Sequence, residues 1–431
     1  MDRHKLKPIL FLISVVSLLL FVKIVSFSQQ ATSRAVIQIQ QAGVPQGTVN
    51  LLNCSTNVTC SLAAGVMTIS ATGLPTSGYG WQYTFTVHHS LVAGAETNFP
   101  VLLSGTYAGF ATTANGGKVQ NTTTCCAASI TVPADLVFSS TPCGTAPTLL
   151  QWEFETYNAT TGAVNIWVRR TLSSSVDASI YACIGNSSVT TYQATATSVW
   201  DSHYVAVFHF PDGSTLNIVD STNTNTASNN GATAGSGQID GAASFVQASS
   251  EDIDLGNNSA LKISGPITLE AWVSFTGTFT DTIFPRIISN LTSTVYTGAE
   301  LVLDAPEELT PNSFYLQLGN GGAVQDIPLA LSMPITVGQI YFITGTYDGT
   351  NASFYQDGTV LETDVVGSGA IGSSSLHTFV GSWTNGTFFW NGFIDEVRIS
   401  NIARASDWIM TEYHNQHSPS TFYSVGSLTS L

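Results

Sequence analysis

The stretch SSEDIDLGNNS, Ser249–Ser259, places three acids in four positions: Glu251, Asp252 and Asp254. Paired carboxylates are the working groups of glycoside hydrolysis, where a retaining enzyme holds them about 5–5.5 Å apart. Side chains alternate along a strand, so Asp252 and Asp254 share one face while Glu251 and Ile253 share the other. The next position on the acidic face is Gly256, so the third acid that would complete a catalytic strand is missing. Asp395 and Glu396 are neighbours, and on a regular strand they point to opposite faces. His88 and His89 are split in the same way. His203, His209, His414 and His417 show no ligand spacing with a supporting acid, and the last two are expected at a solvated helix end. There is no Gly-x-Ser-x-Gly elbow. Gly235-Ser236-Gly237 opens no helix and reads as a loop, not a phosphate cradle. No catalytic residue is nominated, and the chain is read as non-enzymatic.

The elements that must position any site are strands. Of 431 residues, 43% are hydrophobic and only 9% charged, with polarity carried by Ser, Thr, Asn, Gln and Gly. That composition suits pleated, half-buried surfaces cut by turns. In GYGWQYTFTVHH, residues Trp81, Tyr83, Phe85 and Val87 face one way and Gln82, Thr84, Thr86 and His88 the other. Similar runs recur along the chain. Tyr347-Asp348-Gly349 and Gln356-Asp357-Gly358 are hairpin signals. The segment Asn217–Gly241 is polar, with few groups able to pack. One segment alone reads as helix, DWIMTEYHNQ, with Ser406 as its N-cap. The expected fold is all-β, with two antiparallel sandwiches, a short N-terminal β segment and one short C-terminal helix.

The N-terminus reads as a secretory signal over residues 1–28: Arg3, Lys5 and Lys7, then ILFLISVVSLLLFV, then Ser26-Phe27-Ser28. An uncleaved anchor extended through Lys23 to Ile24-Val25 is the alternative. No second apolar stretch of spanning length follows. With residues 1–28 set aside, the net charge of −16 becomes −19, because they hold four of the bases and one of the acids. So acidic a surface repels phosphate backbones and excludes nucleic acid as an expected partner. Six cysteines after a secretion signal favour disulfides. Cys54 and Cys60 bracket a small hairpin. Cys125 and Cys126 are adjacent and not expected to bond each other, so each is expected to reach Cys143 or Cys183. Zinc is not expected, since only Cys125 and Cys126 are close.

Residues 198–427 resemble the laminin-G-like, or concanavalin A-like, jelly roll of bacterial secreted proteins. The resemblance rests on AVFHFPDG, GQIDGAASFVQASSEDIDLGNN, SGPITLEAWVSF, ITGTYDGTNASFYQDGTVL and GFIDEVRISNIARASDWIMTEYHNQHSPSTFYSVG. Residues 79–197 are similar to domain of unknown function 2341, on GWQYTFTV, NFPVLL, DLVFSS, EFETYNATTGAVNIWVR and IYACIGN. Residues 29–78 form the short β segment and linker, and 428–431 a tail. The jelly-roll resemblance implies a calcium ion, held by Asp220 in the polar loop and Asp395 on the C-terminal strand. It also includes true glucanases, but the acid strand lacks their pattern. Sugar binding needs exposed aromatic platforms, and Trp383 and Trp390, both beside turns, are the ligand-binding candidates. The expected function is a secreted or cell-surface protein that binds carbohydrate or another extracellular partner. A structural adhesin or fibre role and a cryptic glycosidase are the alternatives.

Overall fold

Alternation in Trp81–Val87 is realised as a strand in which Tyr83, Phe85 and Val87 are buried and the intervening residues half-buried. The structure is a computed structural model. It describes residues 77–431 except 127–128, 212–214, 279–283, 304–311, 328–333 and 384–385, and before residue 77 only the backbone of four strands. Those four form two antiparallel hairpins, Val36–Gln41 with Val44–Asn50 and Val58–Ala63 with Val66–Ala71. The chain divides into two compact units, Met1–Thr76 with Leu431, and Ser77–Ser430. The expected leader and the Cys54–Cys60 pairing lie outside the described residues.

Within the larger unit, the first sandwich has a three-stranded sheet, Gln151–Tyr157, Ala163–Leu172 and Glu96–Thr106 in that order. Its other sheet holds Trp81–Val87, Ala178–Ile184 and Leu136–Ser139. Between them Tyr83 meets Phe110 edge-on at 5.5 Å, and Phe138 meets Trp152 at 5.6 Å. The C-terminal strand Tyr423–Val425 pairs with Trp81–Val87, as does Thr429–Ser430. Residues 423–430 therefore complete a sheet of this first sandwich, on both sides of the expected boundary at 427. The Tyr423 hydroxyl anchors them, donating to Ser104 O at 2.8 Å and accepting from Ser104 N at 2.9 Å.

The second sandwich packs an eight-stranded sheet on a seven-stranded one. The larger runs Thr233–Ser236, Gly241–Phe245, Gly392–Ser400, Ile267–Phe275, Ile340–Tyr347, Asn351–Gln356, Thr359–Val365, with Tyr204–Phe208 also on Gly392–Ser400. The smaller runs Ser228–Asn230, Asp252–Asp254, Phe379–Val380, Arg286–Ser289, Thr297–Leu303, Phe314–Asn320, Val324–Ile327. Their core is aliphatic and aromatic, with Ile253, Leu269, Val273, Ile288, Leu301, Leu316, Val380 and Ile394 buried together. Both hairpin signals hold. Asp357 and Gly358 both have positive φ, 52° and 76°, as a two-residue type I′ turn requires.

Three expectations need correction. Cys125 and Cys126 bond each other, and Cys143 bonds Cys183. Cys126 takes a left-handed backbone, φ 66°, that brings the neighbouring sulfurs together, while Cys143 and Cys183 have Cα atoms 5.5 Å apart, an ordinary spacing for a bridge. The polar segment after residue 217 is built, not slack: it contains the strands Ser228–Asn230 and Thr233–Ser236. The helix runs Ser406–His417 and is followed by a short second one, Pro419–Phe422. Ser406 lies inside it, and Ala405 is the cap, with no side-chain cap bond. No described helix is long and apolar enough to cross a membrane.

Two stability predictions follow from these contacts. Replacing both Cys143 and Cys183 by Ala, which opens a loop of sequence separation 40, should lower unfolding stability by about 2–4 kcal/mol, read from guanidinium midpoints. Glu96 is buried beside the helix, and its carboxyl is raised from 4.5 to about 7 by burial and by the negative charges of Asp407 and Glu412. A raised carboxyl stabilises the fold while protonated, and that contribution is lost as pH climbs from 4.5 through about 7. Glu96→Gln should therefore raise the thermal midpoint relative to wild type at pH 8 and change it little at pH 4.5.

Candidate functional site

Cross-strand partners share a sheet face, so the register of the seven-stranded sheet can be followed from edge to edge. Ser228 lies opposite Asp254, Asp254 opposite Phe379, Phe379 opposite Ser289, Ser289 opposite Glu300, Glu300 opposite Gln317, and Gln317 opposite Asp326. This row faces away from the core, because the neighbouring positions Ile253, Val380, Ile288, Leu301 and Leu316 are the ones in the core. Six of its seven residues are polar.

The middle of the row is fixed by charge. Glu300 is fully buried, accepts from Ser289 Oγ at 2.5 Å and pairs with Arg286 Nη2 at 2.9 Å. The Arg286 guanidinium in turn lies 4.9 Å from the Phe388 ring centre and 5.6 Å from that of Trp383. Both ends are open. Asp254 carries His377 at 2.8 Å, with side-chain exposures of 19% and 47%, and the imidazole stacks on Phe379. At the other end Gln317 Nε2 donates to the exposed Asp326 at 2.7 Å.

The two tryptophan candidates separate here. Trp383 is half-buried, donates its indole N–H to Leu291 O at 2.9 Å and flanks the row through Arg286. Trp390 is fully buried, packed on Phe275 and Phe314. Its place beside a turn suggested exposure, but its ring enters the core. Asp252 is also buried, and its two oxygens accept from Asn230 Nδ2 and Ser382 Oγ.

The expected calcium pair does not fit a cation. The Asp220 carboxylate accepts from Val207 N, Thr222 N and Oγ1, Thr224 N, and Asn225 N and Nδ2, all at 2.7–3.2 Å. Six N–H and O–H donors leave it no lone pairs for a metal; it organises a turn. Asp395 accepts from Gln238 N and Ile239 N through Oδ2. Burial and the nearby Glu396 charge push its carboxyl well above the usual range, which favours the neutral acid.

On the opposite side of the domain, the outer face of the eight-stranded sheet carries a buried charged layer. Strand Gly392–Ser400 has an extra residue there: Glu270 pairs with Arg398 but Trp272 with Asp395, and Glu396 has φ 50°. This bulge breaks alternation. Asp395 lies on the Trp272 face and Glu396 reaches the same side, contrary to the expectation for a regular strand. Glu396 Oε1 meets His209 Nδ1 at 2.8 Å, and its Oε2 meets Arg398 at 2.6 Å. His209 therefore has supporting acids after all, with Glu153 and Glu155 of the first sandwich each 3.9 Å from a ring nitrogen. Burial alone would lower the His209 pKa, but Glu396, Glu153 and Glu155 outweigh it and hold it well above its ordinary value. Glu155 is raised by burial and then by Glu396. Glu270 is raised by burial and by Glu412. At the helix end expected to be solvated, His417 is exposed and stacks on Tyr413, whereas His414 is half-buried with Nδ1 2.9 Å from Leu91 O.

Comparison with known proteins bears on the second sandwich. Residues 240–410 match the family model Laminin_G_3, described as the concanavalin A-like lectin/glucanases superfamily. No curated protein matches the chain. Among solved structures, the binding domain of Paraclostridial Mosquitocidal Protein 1 is 12% identical, with 49% of this chain and 52% of that one covered and a TM-score of 0.39. The botulinum neurotoxin type G receptor binding domain is 14% identical, with 50% and 52% covered and a TM-score of 0.39. Domain 4 of AbnA, a GH43 extracellular arabinanase from Geobacillus stearothermophilus, in complex with arabinotriose, is 19% identical, with 49% and 98% covered and a TM-score of 0.37. The alignment spans about half the length of the first of these structures. Residues 240–410 are a concanavalin A-like domain within a longer all-β chain.

Proposed function

We propose that this chain is a secreted, non-enzymatic binding protein that takes carbohydrate on the outer face of the seven-stranded sheet. The observation that carries the reading is the polar row from Ser228 to Asp326, fixed at its centre by Arg286 and Glu300 and open at both ends. Sugar recognition needs a few rigidly placed polar groups beside an apolar ring face. Asp254, His377 and Gln317 supply the first, and Trp383 and Phe379 the second. The superfamily matched at 240–410 contains lectins as well as glucanases, and the site, not the fold, must choose between them. The side chains of the acid strand favour binding. Asp252 is held by Asn230 and Ser382, and Asp254 by His377 and the Gly256 N–H. Neither stands free as a nucleophile or acid. Secretion rests on the leader sequence.

A second reading rests on a different edge. Strand Thr359–Val365 ends the eight-stranded sheet, with Val360 and Val365 exposed by 44% and 80%. An open strand of this kind is a template for pairing with another chain, as a fibre or adhesin component requires. Concentration-dependent light scattering of residues 29–431 separates the two.

The direct test is a glycan array on residues 29–431, with calcium and with chelator. Saturable binding is expected in both conditions, because Asp220 offers no cation site. His377→Ala and Trp383→Ala should each weaken it about tenfold, the loss of about 1.4 kcal/mol. Trp390→Ala should instead cost about 3–5 kcal/mol of stability and leave affinity of the folded fraction unchanged. Binding to no glycan would sink the carbohydrate reading. Reducing-end release that stops in Asp254→Asn would replace it with hydrolysis.

A further inference from the structure

The charged layer between the two sandwiches is not used by the binding face, and it holds the features of a metal centre. One donor atom each from Glu155, His209 and Glu396 lies within 4.8 Å of the others, and all three residues are buried. They come from three separate stretches: the strand Gln151–Tyr157, the residue after Tyr204–Phe208, and the bulge in Gly392–Ser400. Two further observations point to an occupant. Glu155 Oε1 is buried with no hydrogen-bond partner, in a side chain more than nine-tenths buried. A partly open cavity of about 20 Å³ is lined by Glu155 and His209, though not by Glu396, and leaves room for one water-sized particle beside two of the three ligands.

Charge argues for a cation there. Arg398 is divided between Glu396 and Glu412. Apart from the His209 imidazole, 3.9 Å from each, Glu155 receives only the Trp167 indole N–H, and Glu153 only the Trp200 indole N–H and the Ser221 hydroxyl. Three buried carboxylates, Glu153, Glu155 and Glu396, thus gather on one imidazole while Arg398 is shared with Glu412, and buried negative charge in excess of positive is expensive unless a further cation joins it. We infer that Glu155, His209 and Glu396 form a binding site for a divalent transition-metal ion of the zinc or manganese type, which clamps the first sandwich to the second. An imidazole with carboxylates suits these ions, whereas calcium prefers an all-oxygen shell. Donors around one ion at about 2.0–2.2 Å are at most about 4.4 Å apart, so the widest pair must close by a few tenths of an ångström. The 2.8 Å contact between His209 and Glu396 must open by a similar amount. Binding through Nδ1 leaves the other ring nitrogen facing Glu153, and Arg398 holds the second oxygen of Glu396. Each is an outer partner of the kind that orients ligands.

The test uses residues 29–431, stripped with chelator, dialysed, and then given Zn²⁺ or Mn²⁺. Elemental analysis after gel filtration should find one ion per chain, with a thermal midpoint several degrees above the stripped protein. Glu155→Gln and His209→Gln should each abolish both effects. Because His209→Gln also removes the buried contact with Glu396, the wild-type Mn²⁺ complex supplies an independent readout: pulsed electron paramagnetic resonance should show a coordinated imidazole nitrogen. No retained ion in the wild type, retention in both variants equal to that of the wild type, or a nitrogen-free Mn²⁺ spectrum would overturn the assignment. None of these outcomes touches glycan binding at the opposite face.

Discussion

The Arg398 guanidinium is 1% exposed, and its burial constrains everything packed around it. A charge taken out of water must be paired and hydrogen-bonded, or its desolvation is not offset. Glu396 and Glu412 meet that need, at 2.6 and 3.1 Å. Trp167 and Trp200 close over the cation, at 4.5 and 5.2 Å. Each partner arrives by a different route. The bulge at Glu396 turns one carboxylate toward Arg398. The helix Ser406–His417 brings the other, and Asn415 on that helix bonds both backbone groups of Leu102. Trp167 belongs to the first sandwich, and Trp200 lies just before the strand Tyr204–Phe208. One buried charge thus ties together a sheet, a helix and a neighbouring sandwich.

The jelly roll consequently has two unlike outer faces. That of the eight-stranded sheet is consumed by internal contacts: Trp272 donates to Gln416, and Tyr204 donates to Glu412. That of the seven-stranded sheet has no such cover at its ends, and there the polar row meets solvent. Rigidity on one side and accessible hydrogen-bonding groups on the other are what a binding module requires. A site built on strands is also positioned more precisely than one carried on loops.

Much of the fold was legible because it follows from short-range rules. Alternation placed Tyr83, Phe85 and Val87 inside, and Asp357-Gly358 announced its turn. The polar row was not legible, because register between seven strands is set by long-range pairing. Its members, from Ser228 to Asp326, look like ordinary polar residues in sequence. Asp395 and Glu396 were assigned to opposite faces on the assumption of a regular strand, and a single residue at positive φ overturned that. His209 looked unsupported because its acids lie far away in the chain, at Glu153, Glu155 and Glu396. Trp390 was misjudged because proximity to a turn says nothing about which way a ring points. The vicinal bridge Cys125–Cys126 depended on a backbone conformation that composition does not reveal.

The return of Tyr423–Val425 to the strand Trp81–Val87 has a consequence for the order of assembly. During synthesis the first sandwich emerges early, yet the strand that covers this edge of its sheet is made after the whole jelly roll. Until then Trp81–Val87 presents unpaired backbone groups to whatever is near. Domains made on the ribosome tend to fold in turn from the N-terminal side, but here the earlier sandwich cannot be finished before the later one. The two are coupled as a folding unit by topology as well as by charge.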